Sequence, residues 1–459
     1  MKVKEIYIKD FRQFKEFTLD LSYPKGHEKE GQPLDKVCFI GQSGTGKTTL
    51  LNFINCLSNP QKIRALKISS IIKNISFHVF FFTSNLNYYT SFFDNNHNDS
   101  TWLTNIEELL NENESKLSLK EFTENGFPRT SGQKSLETIR YSEKFKTVYL
   151  PANLHYEFKE ESSENISLNK IDFDFTEENI YTTWNLILGK VTKFQEDELK
   201  LRQDISKVAE SGNFKELEKQ LEKLSQWKQE YSNPIRDIAQ NCIDPLIKPF
   251  GLKVKEDLDI RKKEDIGFIK IEDFYNNEVP FSLWSTGTKQ IILSAMALYL
   301  IKPENSIILF DEPERSLYPD LQRVIIKHYE GLTKNSQLFF ATHSPIIASN
   351  FEPWEIVELK FDDKFHVYRE KYYEGENDID NYFIDPRFLN FDLILKEVFD
   401  MKFTNGDMRY EALSEYGMLK NQLETFKKEN KLQTPAAKEV YKKFKLLSKK
   451  LVANPEQHA

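Results

Sequence analysis

Residues 41–48 read Gly-Gln-Ser-Gly-Thr-Gly-Lys-Thr and stand between an apolar run at 36–40 and a helical stretch that opens with Thr49. A strand that runs into such a loop and then into a helix places the chain in the α/β class with a parallel sheet. Gly41, Gly44 and Gly46 let backbone N–H groups converge on an anion, with Gln42, Ser43 and Thr45 between them. Lys47 is set to reach the β and γ phosphates of a nucleoside triphosphate, and Thr48 to offer its hydroxyl to Mg²⁺. The N-terminus of the following helix faces the same anion.

A loop of this kind needs carboxylates from another strand, and these come far downstream. Residues 306–310 form a short apolar strand that ends in Asp311-Glu312-Pro313-Glu314. At the end of a buried strand, Asp311 is placed to hold the Mg²⁺ shell and Glu312 to polarise an attacking water as general base. A further strand, 337–341, ends in Thr342-His343-Ser344-Pro345. Alone, His343 reads as a packed histidine; beside the other two strand ends it reads as a catalytic residue that contacts the γ-phosphate. At the N-terminus, residues 4–9 and 14–21 alternate as two half-buried strands around the turn Phe11-Arg12-Gln13.

Bulk properties narrow the setting. The net charge of −8 argues against a wholly basic, nucleic-acid-coating surface, so any contact with nucleic acid is local and not required. Charges interrupt every apolar run near the N-terminus, and no later run is long enough for a span; the expectation is a cytoplasmic chain without a membrane partner. Cys38, Cys56 and Cys242 lack metal-ligand spacing and read as buried thiols.

Between the two halves of the site, Val191, Phe194, Leu201, Ile205 and Val208 repeat at heptad-like spacing, with Glu198 interrupting the seam. After a break at Ser211-Gly212-Asn213, Phe214, Leu217, Leu221, Leu224, Trp227 and Tyr231 repeat every three or four residues up to Asn233-Pro234. This spacing predicts a short antiparallel helical hairpin with arms of about 30–45 Å; two amphipathic core helices are the other reading. Residues 84–132, rich in Asn, Ser and Thr, predict an irregular insertion, either a partner site or decoration. The tail predicts helices at 391–399, 410–430 and 435–451, the last with a lysine-rich face that is either solvated or a binding surface.

With Ser285-Thr286-Gly287-Thr288-Lys289-Gln290, the chain resembles the ABC ATPases of the SMC, RecF and OLD group, over about residues 1–58 and 281–360. Those residues resemble a diverged signature motif, with Thr286 in place of a glycine and an amphipathic helix following at 291–300. Ser316-Leu317-Tyr318-Pro319 is similar to the D-loop. The resemblance implies an ABC-type ATPase head, a P-loop NTPase that binds ATP and Mg²⁺, with Ser285, Thr286, Gly287 and Thr288 acting in trans on nucleotide held by another copy. It implies a homo-oligomer, at least a head-to-head dimer. Arg12 resembles the arginine that related heads bring to the nucleotide; a surface turn arginine is the alternative. No Q-loop glutamine is identifiable after the strand at 77–82.

The domains expected on this reading are 1–180 and 251–370 as the two halves of the head, 181–250 as the hairpin and 371–459 as a helical partner-contacting region. Glu374-Gly375 is similar to the opening of a TOPRIM nuclease domain, but no later strand with paired carboxylates follows, so no internal nuclease is expected. With Glu312 to Pro319, the Ala341-Thr342-His343-Ser344-Pro345 run and the tail at 392–399, the chain is similar to the ATPase components of two-protein anti-phage systems. The AriA family of PARIS comes first and the PtuA family of Septu next. This implies a separate nuclease effector, of TOPRIM type in the PARIS case, and a phage trigger protein. A RecF-like DNA repair ATPase is the alternative, and a scaffold that binds nucleotide and barely hydrolyses it is a third reading.

Overall fold

The structure is a computed structural model. It describes residues 2–57, 76–82, 87–93, 102–105, 134–135, 145–156, 167–257 other than 177 and 181, 268–371, 385–401 and 406–451. The chain divides into two compact units, Met1–Phe388 and Leu389–Ala459.

The strands, in chain order, are β1 (Lys2–Phe11), β2 (Phe14–Asp20), β3 (Lys36–Gly41), β4 (Ser76–Phe82), β5 (Asn87–Phe93), β6 (Trp102–Asn105), β7 (Lys134–Ser135) and β8 (Thr147–Leu150). They continue as β9 (Asp172–Asp174), β10 (Leu252–Val254), β11 (Ile271–Asp273), β12 (Glu278–Val279), β13 (Ile307–Asp311), β14 (Gln337–Ala341), β15 (Ile356–Phe361) and β16 (Val367–Glu370).

The seven-stranded sheet runs β16-β15-β3-β14-β13-β8-β9. Its pairs are parallel except for the edge pair β15–β16. Every residue of β13 and β14 is buried, as are Val37 to Ile40 in β3. Strands covered on both faces carry continuous apolar runs, which is why these three were readable in the sequence. Their parallel register brings the C-terminal ends of β3, β14 and β13 side by side, with Ala341 level with Phe39 and with Asp311.

An antiparallel six-stranded sheet, β2-β1-β4-β5-β6-β7, begins with the predicted hairpin. Val3, Ile6, Ile8 and Phe11 are buried on β1, and Phe14, Phe17 and Leu19 on β2. The pairing of β1 with β4 shifts register between Val3 and Glu5, which lets Val3 and Ile6 share the buried face although they are three apart. β5 and β6 lie within the stretch expected to be an irregular insertion, so part of it is sheet; the rest of 84–132 lies outside the described residues. A small antiparallel sheet, β10-β11-β12, was not foreseen.

The helix expected to be amphipathic over 291–300 is longer and buried nearly all round. It spans Thr286–Ile301, and ten of its residues from Ile291 onward are buried. Packed on the first arm of the helical hairpin and on residues 239–243, it has almost no solvated face.

The hairpin forms, with arms Thr182–Glu210 and Phe214–Glu230. Burial in the first arm is confined to its root, Thr182 to Val191, and the second arm has no buried residue, which excludes two core helices. Phe194 packs on Trp227 at 4.8 Å, and Trp227 on Tyr231 at 5.8 Å. Glu198 does more than interrupt the seam: its carboxylate takes Arg202 at 2.8 Å on its own arm and Lys228 at 3.2 Å on the other. Trp227→Ala is expected to weaken the hairpin by about 1 kcal/mol through loss of ring contacts. Amide exchange should accelerate in both arms beyond Val191, while the melting temperature of the head stays unchanged.

At the opposite edge of β3, Glu355 closes the turn Pro353–Glu355 and accepts the Glu352 backbone N–H at 2.8 Å. Burial pushes its carboxyl up to about 8, an effect that Lys36 at 3.8 Å offsets only in part. Between pH 4.5 and 8 the folded state therefore holds a proton that the unfolded state has lost, and stability falls as pH rises through this window. Glu355→Gln, which keeps the accepting oxygen, should flatten that slope and stabilise the fold by about 2–4 kcal/mol above pH 8. Denaturant titrations at pH 5 and pH 8.5 check it.

In the second unit, Phe391–Glu397, Asp407–Lys428 and Pro435–Leu451 are helices, and the latter two pack with Tyr416 stacked on Phe444 at 4.7 Å. Glu374 to Asp380, and the residues directly after β4 where a Q-loop was sought, lie outside the described residues. No helix among the described residues is long and apolar enough to cross a membrane.

Candidate nucleotide site

β3 ends at Gly41, and the chain turns through Gly44 and Gly46 into the helix Lys47–Leu57. All three glycines have positive φ, at 140°, 87° and 95°. A Cβ on Gly41 would stand 2.3 Å from the Leu359 carbonyl oxygen of β15, and one on Gly46 would meet the Gln13 amide and the Phe14 ring at 2.6 Å. The loop is thus wedged between β15 and the first hairpin, and only glycine fits at these points.

A pocket of about 340 Å³ lies above the loop, lined by Gln13, Ser43, Gly44, Gly46, Lys47, Thr48, Thr49, Asp311, Glu312 and His343. The parallel register of β3, β13 and β14 accounts for this gathering. The strand ends at Gly41, Asp311 and Ala341 come to one edge of the sheet, the usual location of ligands in open α/β folds.

Lys47 is buried and donates to the carbonyls of Gly41 at 2.8 Å and Gln42 at 3.2 Å. Burial pushes its ammonium down to about 8, with Glu312 and Asp311 pulling the other way. Thr48 Oγ1 donates to Asp311 Oδ1 at 2.9 Å, while burial raises the Asp311 carboxyl. Glu312 follows in a left-handed conformation, φ 44°, fixed by its N–H donating to the Ala341 carbonyl at 2.8 Å. His343 follows the end of β14 on the pocket wall, where partial desolvation together with nearby Lys47 lowers its pKa.

The donor chemistry fits a magnesium nucleotide. Thr48 and Asp311 supply two adjacent hard oxygens, the number Mg²⁺ takes from protein when phosphate and water complete its octahedron. Among the described residues there is no cluster of three His, Cys, Asp or Glu side chains that would cage an ion without phosphate.

Other expected residues fall elsewhere. Gln42 and Thr45 shape the loop through the Thr45 hydroxyl donating to the Gln42 carbonyl at 2.8 Å. Arg12 is at the hairpin tip with φ 52°, exposed, its guanidinium 5.3 Å from the Phe11 ring, and it does not line the pocket. Its neighbour Gln13 does, donating its side-chain amide to the Gly44 carbonyl at 3.2 Å. In so tight a turn successive side chains leave in different directions, and the sequence alone did not say which one meets the loop. Tyr149, at the end of β8, hydrogen-bonds Asp311 and was also not foreseen.

Ser285, Thr286, Gly287 and Thr288 do not line the pocket of their own chain. Ser285 caps the Thr286–Ile301 helix by accepting the Thr288 N–H at 3.1 Å, and Ser285 and Thr286 are exposed. Gly287 is buried against the Ser316 backbone, whose carbonyl would be 2.2 Å from an added Cβ.

By fold, the chain is similar to the SMC head domain with an extended coiled coil bound to the C-terminal domain of ScpA, from Pyrococcus furiosus, at 12% identity and a TM-score of 0.42, over 80% of this chain and 95% of that one. The SMC head bound to the C-terminal winged-helix domain of ScpA gives 12% identity and a TM-score of 0.43, over 80% and 97%. The SMC head domain from Thermotoga maritima gives 12% and 0.38, over 80% and 98%. No curated protein matches the sequence. Residues 1–348 match the model of the AAA ATPase domain family, and the chain belongs to that family.

Proposed function

We propose that this chain is an ATP-driven switch of an anti-phage system, whose heads pair on binding ATP and part on hydrolysing it. Residues 41–49 hold the triphosphate, Lys47 neutralises its β and γ charge, and Thr48 with Asp311 holds Mg²⁺, which would screen the phosphate charge. Glu312 takes the proton of the attacking water, and His343 contacts the terminal phosphate. Ser285 to Thr288 serve the site of a second copy.

The observation that supports pairing is the division of these groups. Lys47, Thr48, Asp311, Glu312 and His343 share one pocket, while the exposed Ser285-Thr286 turn lies outside it. An exposed helix N-terminus is suited to a phosphate but has none of its own chain's site to serve. In this reading 1–180 and 251–370 make the head, 181–250 is the hairpin, and 371–459 contacts the partner. The defence role, with a separate nuclease effector and a phage trigger, rests on the resemblance of 312–319 and 341–345 to that family of ATPases.

The test is to co-express the chain with the product of the adjacent gene and measure phosphate release and retention of that product with ATP. Retention of a nuclease that is released as ATP turns over supports the switch. Turnover that depends on DNA, with a salt-sensitive DNA shift and no retained protein, replaces it with the repair reading.

A further inference from the structure

Glu314 does not line the pocket, yet it ties two of the strand ends that form it. Its Oε1 accepts the Thr342 hydroxyl at 2.6 Å and the His343 backbone N–H at 3.0 Å. Its Oε2 is buried and has no hydrogen-bond partner among the described residues. Because a buried, half-satisfied carboxyl is costly, its place in the fold calls for a function that offsets that cost.

The bonds around it close a ring. Ser344 N–H donates to Thr342 Oγ1 at 2.9 Å, and Ser344 Oγ donates to Gln322 Oε1 at 2.6 Å. Gln322 Nε2 donates to the Leu317 carbonyl at 2.9 Å, and Leu317 N–H donates back to the Glu314 carbonyl at 2.9 Å. Ser316 lies within this ring, held at φ 61°, and its carbonyl is the group that leaves no room for a Cβ on Gly287. His343 at one end faces the pocket, and Gly287 at the other opens the Thr286–Ile301 helix.

We infer that Glu314 is a positioning residue, which fixes the His343 loop against the Glu312 turn and passes a shift of His343 on to Ser316 and Gly287. The inference rests on the hydrolytic reading of the pocket for its consequence in turnover, and on geometry alone for its structural part. Glu314 touches no reacting atom. Its accepting oxygen sets where His343 stands, and the ring sets where the Gly287 turn stands. Misplacing a catalytic contact by about 1 Å costs turnover far more than binding.

Glu314→Ala removes the acceptor, whereas Glu314→Gln keeps it and alters only the buried Oε2. Glu314→Ala is expected to lower kcat at least tenfold while KM for ATP moves less than twofold, with Glu314→Gln within threefold of wild type. Without nucleotide, the His343 amide should exchange at least tenfold faster in Glu314→Ala and at the wild-type rate in Glu314→Gln. Thr342→Val, which removes one of the two bonds to Glu314 and the Ser344 N–H bond while keeping the His343 N–H bond, should exchange the His343 amide at a rate between the two and serves if Glu314→Ala does not fold. Equal damage in Glu314→Gln and Glu314→Ala, a parallel change in kcat and KM, or an unchanged His343 amide would each overturn the assignment. A wild-type chain with no turnover would instead sink the hydrolytic reading, and the amide measurement would still decide the role of Glu314.

Discussion

Glu312→Gln is expected to lower ATP turnover by about 10²–10⁴-fold while leaving ATP affinity within a few-fold of wild type. The reason lies in how the end of β13 is built. Asp311 is buried and accepts the Thr48 hydroxyl at 2.9 Å, which in the proposed mechanism leaves Glu312 to meet the water. Glu312 leaves the strand in a left-handed conformation held by its N–H bond to Ala341, which separates its carboxylate from that of its neighbour and puts it on the pocket wall. Glutamine keeps the shape and the hydrogen-bonding reach but accepts no proton. Asp311→Asn should behave differently, with weakened Mg²⁺ dependence and weakened binding together. Phosphate release under single-turnover conditions, read beside fluorescent-nucleotide affinity, separates the two; equal turnover in wild type and Glu312→Gln would remove Glu312 from the role of base.

Gly41→Ala is expected to destabilise the fold by about 2–5 kcal/mol and to abolish measurable ATP binding. Two costs add. A Cβ there would sit 2.3 Å from the Leu359 carbonyl oxygen, which is backbone of the adjacent strand β15 and cannot swing away. The φ of 140° is also one that L residues rarely adopt, at about 1–3 kcal/mol. Relief requires β15 and the start of the loop to separate, which moves the N–H groups that face the anion. Gly189→Ala is the control: it has open space around it, lies within the Thr182–Glu210 helix, and should leave stability equal or raise it by up to about 1 kcal/mol. Calorimetric melting and nucleotide titration of both variants check the pair, and a Gly41→Ala protein as stable as wild type would contradict the packing of the loop.

The parts of this protein that were legible in its sequence are those whose physics is local or continuous. β3, β13 and β14 are buried on both faces, so they appear as apolar runs, and each leads into a polar segment: the glycine loop after Ile40, Asp311-Glu312, and Thr342-His343. The hairpin arms show their period because only one stripe of each is covered. What was not legible depends on contacts that cross the chain. The Thr286–Ile301 helix looked amphipathic because sequence does not show how many neighbours surround it. Arg12 and Gln13 are adjacent, and only the packing of Gly46 against the hairpin singles out Gln13. Glu198 looked like a flaw in the seam until Lys228 of the other arm was found beside it. Glu314 read as part of a motif, and its tie to Thr342 and His343 needs two strands in register. The short strands β9 to β12 have two or three residues each, too few for any period to register.

The most direct measurement is the mass of the purified Glu312→Gln chain in solution, with Mg-ATP and without nucleotide. The account predicts a discrete doubling or higher closed multiple that appears only with ATP and is lost when Ser285 is replaced by a bulky residue, Ser285→Arg, with ATP still bound. A chain that binds ATP and keeps the same mass with and without it would contradict the claim that the nucleotide joins two heads.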